Sequence, residues 1–584
     1  MPASLIDAES LLAVDVGTCN TRASLFDMVE GYYRFIASGQ ASTTAAAPFK
    51  DISEGVRRAI ENLQSVTGRT LLNAENRLIM PSQPDGTGVD SFAATLSAGP
   101  AIKTAVAGLL EDVSLKSVQR LARSTYARIV ETISLNDRRK PEEQIDSLLR
   151  LNPDLILVAG GTDGGASRSV QKILEIIGLA CYLMPAEKRP SMLFAGNQKI
   201  AAGVMSSLEG LLTNLRVSPN IRPSLDMENL QPAEKELTNL FAETRRGQMA
   251  GVDELNAWAG GNLLPTAHAE GRIIRFLSQV SDSRKGLLGV DIGASATTLA
   301  AAFGGELIMG VYPQFGLGEG IAGLLRYTTP EDILRWLPND LPADAVRDYL
   351  YQKSIYPTSL PATVEDLAIE QAIARQSLHL ALSAVNKDFP YDIARPAMGL
   401  TPYFEPILAG GSIFTHAPTW GQSLLILLDG IQPTGSTTLV LDQNNLLPAL
   451  GAAATRNSIL PVQVLESGAF LGLATVVAPV SGVRHGTPVL SLRLIYQSGN
   501  ETRLDVRQGT LEVLPLPVGQ AGRLYLQPLQ RADVGFGPGR SGEIPVSGTA
   551  LGVVIDARGR PLRLPADPVR RREVIKTWLW TVGG

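Results

Sequence analysis

A strand–turn–strand pattern that contains Asp-x-Gly occurs twice in this chain and limits its fold more than any other feature. Residues 11–27, LLAVDVGTCNTRASLFD, pass from an apolar run through Asp15 into a polar turn and back to an apolar run. Residues 287–302, LLGVDIGASATTLAAA, repeat that order around Asp291. Each copy predicts a hairpin of two strands joined by a turn rich in small residues. Because the hairpin recurs in the second half of the chain, we expect two related α/β lobes.

The small polar residues of the two turns are suited to binding an anion. Backbone N–H groups and hydroxyls in such turns can point at phosphate oxygens, although an ordinary hairpin turn is the alternative interpretation. An aspartate at the end of a strand can hold Mg²⁺ or its water, so Asp15 and Asp291 are the candidate catalytic and metal-binding residues. A nucleotide held between the two lobes would contact both turns. The residues predicted to surround its phosphates are Gly17, Thr18, Asn20, Thr21, Gly293, Ser295 and Thr297.

Three motifs resemble those of the superfamily that contains actin, sugar kinases and heat-shock chaperone ATPases. Residues 15–21 resemble its first phosphate motif, and residues 291–293 resemble its second. Residues 407–412, ILAGGS, resemble its adenosine motif, in which glycines let the nucleotide approach the backbone. The residues that this motif would bring to the nucleotide are Gly410, Gly411 and Ser412. The resemblance implies a two-lobed actin-like ATPase fold with ribonuclease H-like lobes, and ATP and Mg²⁺ as cofactors.

Three further segments resemble a smaller family within that superfamily, the MutL/GlmL proteins. The segments are GQASTT at residues 39–44, LVAGGTDGG at residues 157–165 and AGN at residues 195–197, and the resemblance extends over about residues 10–455. MutL/GlmL proteins are accessory proteins of cobalamin-dependent glutamate (methylaspartate) mutase and are unrelated to the mismatch-repair protein of the same name. The resemblance therefore implies an ATP-binding, slowly hydrolysing chaperone-like or reactivating protein whose partner is a subunit of such a mutase.

A glycine-rich turn at residues 160–165, GGTDGG, follows a predicted buried strand and precedes a predicted helix. The amino end of that helix would face the turn, as it does in sites that bind phosphate groups. The alternative interpretation is a tight strand-to-helix connection that needs glycine for its backbone conformation. Asp163 inside the turn favours a functional use, and we predict that it contacts the cofactor.

Apolar periodicity predicts helices in both halves of the chain. Residues 52–64 and residues 101–123 place apolar side chains on one helical face, and residues 332–383 are predicted to be largely helical. The pattern changes after Pro461. Alternating and β-branched runs, the first at residues 462–465, are split by glycine and proline and predict a C-terminal all-β domain, either a small barrel or a sandwich.

A chain of 584 residues is too long for one hydrophobic core, so we expect several domains. The predicted regions are a first actin-like lobe at residues 1–212, a connection at residues 213–284, a second actin-like lobe at residues 285–457, and a C-terminal β-rich domain with a basic tail at residues 458–584. The arginines and lysine of the tail, between residues 558 and 576, form either a solvated basic face or a docking surface for an acidic partner.

Composition argues against several classes of partner and cofactor. The net charge of −5 creates no positive field that would recruit nucleic acid or an acidic membrane. Two cysteines and four scattered histidines offer neither a disulfide framework nor a zinc site. No apolar run reaches the roughly 18 residues of a membrane span, and no signal peptide is visible, so we expect a cytoplasmic protein without a membrane partner.

One departure from the superfamily pattern bears on activity. Ala294 and Ala296 stand in the second phosphate motif, where relatives carry more glycine, and no lysine is clearly placed for the γ-phosphate. We therefore expect weak binding of ATP or slow hydrolysis. Two alternatives remain open at this point. The chain could be a kinase or another ATP-dependent small-molecule enzyme, with substrate-stimulated turnover, or a non-catalytic scaffold.

Overall fold

The computed structural model describes residues 10–282 and 284–584. Its strands form four β-sheets, and helices lie between many of the strands along the chain. The chain divides into two compact units. The first unit contains residues 10–25, Ala37–Ala269 and Gly310–Pro313. The second unit contains Phe26–Ile36, Glu270–Met309 and Gln314–Gly584.

The strands are numbered in chain order. Those that begin before residue 280 are β1 (Leu11–Val16), β2 (Asn20–Val29), β3 (Tyr32–Ser42), β4 (Ser91–Leu96), β5 (Ile102–Gly108), β6 (Ala127–Ser134), β7 (Leu155–Val158), β8 (Ser191–Phe194), β9 (Leu215–Val217) and β10 (Leu264–Pro265). The later strands are β11 (Gly286–Ile292), β12 (Thr297–Phe303), β13 (Glu306–Tyr312), β14 (Phe404–Gly410), β15 (Gly435–Leu441), β16 (Leu471–Ala478), β17 (Pro488–Tyr496), β18 (Glu501–Arg507), β19 (Leu511–Leu514), β20 (Ala521–Pro528), β21 (Gly542–Ser547) and β22 (Val553–Asp556).

The α-helices are numbered in the same way. Those that begin before residue 280 are α1 (Ser53–Thr67), α2 (Lys116–Ala122), α3 (Pro141–Leu151), α4 (Ser167–Leu183), α5 (Ala201–Leu208), α6 (Gln231–Gln248), α7 (Val252–Trp258) and α8 (Thr266–Val280). The later helices are α9 (Pro330–Leu334), α10 (Ala343–Ile355), α11 (Val364–Val385), α12 (Ser412–Thr415), α13 (Trp420–Ile431), α14 (Leu446–Ala453), α15 (Ile459–Leu465) and α16 (Pro568–Thr581). Among the described residues, no helix combines the length and the apolar character that crossing a bilayer requires.

The first sheet has the strand order β3-β2-β1-β4-β10. Its central strand, β1, pairs in parallel with β4, and β10 pairs in parallel with β4 on the other side. Residues 11–14 of β1 are all buried, as is typical of a strand that is covered on both faces. The predicted strands on either side of the first Asp-x-Gly turn are confirmed.

The largest sheet repeats this order and then continues beyond it. Its strand order is β13-β12-β11-β14-β15-β16-β22-β19. Strand β11 runs antiparallel to β12 and parallel to β14, and β14 runs parallel to β15. The first five strands of this sheet therefore have the same order as the five strands of the first sheet, and each set begins in the chain with an Asp-x-Gly hairpin.

A third sheet is inserted into the chain between β4 and β10. Its order is β6-β5-β7-β8-β9, every pair in it is parallel, and this order is that of a doubly wound α/β sheet. The predicted helix at residues 101–123 is wrong in its first part, because Ile102–Gly108 is strand β5 and only Lys116–Ala122 is α-helix. A strand that is buried on both faces carries consecutive apolar residues. Such a run also places apolar residues at the three- and four-residue spacing of a helix, which explains the wrong prediction.

The chain after residue 458 contains all but one of the predicted strands, together with two helices, α15 and α16. Strands β18-β17-β20-β21 form a separate antiparallel sheet, whereas β16, β22 and β19 extend the largest sheet. The predicted strand at residues 462–465 is wrong, because these residues belong to helix α15. The side chain of Asn457 accepts hydrogen bonds from the N–H groups of Ile459 and Leu460, which satisfies two amides at the start of this helix.

The basic residues near the C-terminus do not all face solvent. Arg558 and Arg560 are buried, with 6% of their surface exposed, and both form ion pairs with Asp556. Arg570 and Lys576 on α16 are exposed. The expectation of a solvated basic face is therefore wrong for Arg558 and Arg560, whose charges are paired with the buried carboxylate of Asp556.

Candidate functional site

Asp15 lies near the carboxyl end of β1, and its carboxylate is held by two threonines. Thr95 on β4 donates a hydrogen bond to Asp15 Oδ1 at 2.6 Å, and Thr266, the first residue of α8, donates to the same oxygen at 2.8 Å. Because β1, β4 and β10 are parallel, their carboxyl ends lie at one edge of the sheet and bring the three residues together. Sequence reasoning missed both threonines.

The turn after Asp15 is a closed loop with one orphaned hydroxyl. Gly17 N donates to Asn20 O at 3.0 Å, and Asn20 is exposed. The Oγ1 atom of Thr18 is buried and has no hydrogen-bond partner among the described residues. Thr21 is fully buried, and its hydroxyl lies 2.8 Å from the hydroxyl of Thr43. The hydroxyl of Thr21 therefore links the turn to Thr43, whereas the hydroxyl of Thr18 has no hydrogen bond within the described residues.

Asp291 occupies the corresponding place at the end of β11. It lies opposite Gly410 of β14 in the parallel register. A Cβ atom added at Gly410 would lie 3.2 Å from Asp291 Oδ1, and one added at Gly293 would lie 3.3 Å from Oδ2. Glycine at both positions therefore keeps side chains away from both oxygens of this carboxylate.

The second turn is supported from inside the unit. Gly293 N donates to Ala296 O at 3.0 Å, and Ser295 is half-buried. Thr297 is fully buried and donates its hydroxyl hydrogen to Phe315 O at 2.8 Å, so it anchors the hairpin. A Cβ atom at Gly318 would lie 2.9 Å from the methyl carbon of Ala294. The Ala294 methyl group thus packs near a glycine-rich segment of the same unit.

The adenosine motif is a strand followed by a tight glycine turn. Gly411 has φ +102, and a Cβ atom at this position would collide with the carbonyl oxygen of Ile292 on β11. Ser412, exposed, begins α12. Asp442 lies beside this turn, because its N–H donates to Ala409 O at 2.9 Å. Its carboxylate accepts from the first two amides of α14, at 2.8 and 2.7 Å, and sequence reasoning missed this residue.

Asp163 and the Asp15 hairpin belong to different sheets. Asp163 follows β7 of the third sheet, and its Oδ1 atom accepts hydrogen bonds from Gln198 N at 3.2 Å and Asn220 Nδ2 at 2.9 Å. The fully buried Asn197 accepts a hydrogen bond from Gly164 N at 3.2 Å. These contacts tie together the loops that follow β7, β8 and β9, and the proposed contact between Asp163 and the cofactor stays a prediction.

The sequence profile of one family, described as MutL protein, matches residues 11–468. The chain belongs to the MutL protein family. The predicted family is thereby confirmed. The match includes both Asp-x-Gly hairpins and the adenosine motif, and it ends before the strands β16–β22 and the helix α16.

The sequence identity to an individual relative is low. The protein named Protein MutL from Clostridium tetanomorphum is 25% identical over 302 residues, which is 51% of this chain and 59% of that protein. This MutL-family chain therefore aligns with less than two thirds of that relative.

Two solved structures resemble parts of the chain at low scores. The ethanolamine utilization protein EutJ from Carboxydothermus hydrogenoformans gives 10% identity and a TM-score of 0.28, covering 76% of this chain and 89% of that one. A diol dehydratase-reactivating factor in nucleotide-free form gives 11% identity and a TM-score of 0.29, covering 77% and 100%. Scores this low do not establish a shared fold.

The described part of this MutL-family chain contains no group of three or more histidine, cysteine, aspartate or glutamate side chains arranged to hold a metal ion. Asp15 and Asp291 each contribute one carboxylate near the end of a strand. Such a site could hold Mg²⁺ only together with phosphate oxygens and water, which is how this ion is commonly bound in nucleotide sites.

Proposed function

We propose that this chain is an ATP-binding, slowly hydrolysing accessory or reactivating protein for a cobalamin-dependent glutamate (methylaspartate) mutase. The observation that carries the proposal is the repeated five-strand order, in which each central strand ends in an Asp-x-Gly hairpin. A duplicated sheet with the same turn at the same strand end is the arrangement expected of an actin-like nucleotide-binding protein.

The residues at the two hairpins fit the groups that ATP and Mg²⁺ would present. The orphaned Thr18 hydroxyl could donate to a phosphate oxygen, which would satisfy a buried polar atom. The glycines beside Asp291 place no side chain against its carboxylate, which would favour the approach of a hydrated cation. We assign Asp15 and Asp291 the roles of holding Mg²⁺ or orienting the attacking water, because phosphoryl transfer needs charge neutralisation and positioning more than a covalent nucleophile. Bound Mg²⁺ would neutralise charge on the phosphates.

The other residues predicted to bind the nucleotide fall into two groups, those available for direct contact and those that support the turns. Gly17 and Ser295 lie in the turns themselves and are assigned to the phosphates, while Gly410, Gly411 and Ser412 are assigned to the nucleoside. Thr21 and Thr297 are assigned a supporting role, because their hydroxyls are bonded inside the unit. Membership of the MutL protein family supports the accessory role, and the mutase partner rests on the resemblance given above.

The test is binding and turnover of ATP by the purified protein in the presence of Mg²⁺. We expect Asp15→Asn and Asp291→Asn to keep the fold and to lower turnover by about 100-fold or more, because each removes a charge that positions the metal. Asp226→Asn is the matched control, since Asp226 is exposed and lies outside both hairpins. An absence of ATP binding at millimolar concentration would contradict the proposal and leave a non-catalytic scaffold.

A further inference from the structure

A cavity of about 310 Å³ lies in the first unit, apart from both the Asp15 turn and the glycine-rich turn of the third sheet. Its walls come from the start of α1 with the residues before it, from the loop at residues 75–76, and from α7 with the glycine before it. The volume falls at the lower end of the range of small-molecule pockets, which begins at about 300 Å³. It has room for one small molecule or for one long side chain.

The charge around this cavity is strongly negative. Four carboxylates and a single guanidinium, that of Arg57, line it. Arg57 and Glu54 neutralise each other, because Arg57 Nη2 lies 2.7 Å from Glu54 Oε2. The other three carboxylates, those of Asp51, Glu75 and Glu254, form no ion pair with any cation in residues 10–282 and 284–584. Glu75 and Glu254 are exposed and Asp51 is half-buried, so a ligand at the cavity meets three carboxylates that have no ion-pair partner in the part of the chain that the structure describes.

Apolar side chains, including one aromatic ring, also line the cavity. Val56 and Leu255 are buried, with exposed fractions of 3% and 2%. Trp258 lines the same wall and is held edge-to-face against Phe92, with 5.6 Å between the ring centroids. A tryptophan ring attracts cations through the negative charge of its face, and it also packs well against an aliphatic stem.

Backbone contacts join two of the segments that line the cavity. Ile52 N donates to Ala250 O at 3.1 Å, which joins the start of α1 to the segment before α7. Asp51 Oδ1 accepts a hydrogen bond from Ser53 N at 2.9 Å, which holds this carboxylate against the start of α1. Gly251 has φ +82, and a Cβ atom there would lie 2.8 Å from Asp51 Oδ1. Only glycine lets the two segments approach this closely.

We propose that this cavity binds an organic cation, a primary ammonium or guanidinium group carried on an apolar stem. The carboxylates of Asp51, Glu75 and Glu254 neutralise the cationic head, and Trp258, Val56 and Leu255 enclose the stem. The cation comes either from a free amine or from a lysine or arginine side chain of a partner protein. This site is independent of the proposed ATP site, because it uses none of the residues assigned to the nucleotide.

The test measures binding of n-hexylamine to the full chain by calorimetry, with 1-hexanol as the neutral probe of the same shape. We expect one saturable site for hexylamine and binding of hexanol that is at least about tenfold weaker. The double variant Glu75→Gln/Glu254→Gln should weaken hexylamine binding by about tenfold or more, and Trp258→Leu should weaken both probes. Glu187→Gln is the control, because Glu187 is an exposed acid of the same unit outside the cavity.

The source of the cation is decided by a second pair of probes. Tighter binding of Nα-acetyl-lysine methylamide or Nα-acetyl-arginine methylamide than of hexylamine assigns the cavity to a protein side chain, and the reverse order assigns it to a free amine. Equal binding of hexylamine and hexanol, unchanged binding in the double variant, or no saturable binding at millimolar concentration overturns the proposal. Since ATP turnover is measured separately, none of these results depends on the nucleotide site.

Discussion

The carboxylate of Asp15 accepts hydrogen bonds from two threonine hydroxyls that lie 80 and 251 residues away in the sequence. Both hydroxyls bind the same oxygen, Oδ1, and so fix the rotation of the carboxylate at the end of β1. If Asp15 holds Mg²⁺ or orients water, as proposed, then Thr95 and Thr266 are positioning residues. Their contribution is geometric, because small errors in the placement of a catalytic group lower the rate strongly.

Thr266→Val tests this role, because valine keeps the shape of the side chain and removes the hydroxyl. We expect ATP turnover to fall by about tenfold, with a loss of about 1 kcal/mol in the free energy of unfolding from the missing hydrogen bond. Thr266→Ser keeps the hydroxyl and should retain most of the turnover. Steady-state kinetics and chemical denaturation measure the two effects, and unchanged turnover in the valine variant would show that Thr266 does not position Asp15.

At the scale of elements, a buried ionic network joins two helices and a strand of the second unit. Arg558, just after β22, lies 2.8 Å from Asp556 and 2.8 Å from Asp429 of α13, and Asp429 pairs with Arg375 of α11 at 2.9 Å. The guanidinium of Arg558 also stacks over the ring of Trp578 on α16, 4.5 Å from its centroid. Burial alone would raise the pKa of Asp556, but the charges of Arg558 and Arg560 outweigh it and hold that pKa well below its usual range.

Asp556→Asn should lower the free energy of unfolding by about 3–5 kcal/mol near neutral pH, because it leaves two buried arginines without their shared carboxylate. The pH dependence follows from the lowered pKa. The unfolded chain binds the proton first, so the stabilisation is complete above the ordinary pKa of 3.8 and is lost as the pH falls toward the folded value. The gap between native protein and variant should therefore narrow below about pH 4. Denaturant titrations across this range measure it, and equal stability at pH 7 would contradict the prediction.

At the scale of the whole molecule, the two units share a five-strand order and differ in what is added to it. The first unit carries the inserted parallel sheet between β4 and β10. The second unit continues its sheet past β15 with β16, which pairs with β15 along most of its length, followed by β22 and β19. Three strands of the C-terminal part of the chain, β16, β19 and β22, therefore belong to the same sheet as the Asp291 hairpin.

This pairing predicts that a chain ending at residue 457 does not form a stable second unit. The shortened chain would expose the edge of β15, and open strand edges favour aggregation. We expect it to be poorly soluble or to be digested rapidly in limited proteolysis, whereas the full chain should resist digestion. A shortened chain that unfolds cooperatively at the same temperature as the full chain would instead support the predicted domain boundary between residues 457 and 458.

The local sequence predicted the secondary structure of several segments correctly. The hairpins at Asp15 and Asp291, the strand before Gly411 and the helices within residues 332–383 are all present as predicted. The errors in secondary structure lie at residues 102–108 and residues 462–465, where local preference is ambiguous. A buried strand and a buried helix both carry apolar runs, and the choice depends on the neighbours that each finds in the folded chain.

The family and the two hairpins can be recognised from the sequence, because both depend on residues that are adjacent in the chain. Folding is needed to bring Thr95 and Thr266 to Asp15, to pair Arg558 and Arg560 with buried carboxylates, and to join β16 to β15. These features depend on strand pairing between distant segments. Such pairing is chosen by the burial and hydrogen bonding of the whole sheet, which no local stretch of sequence encodes.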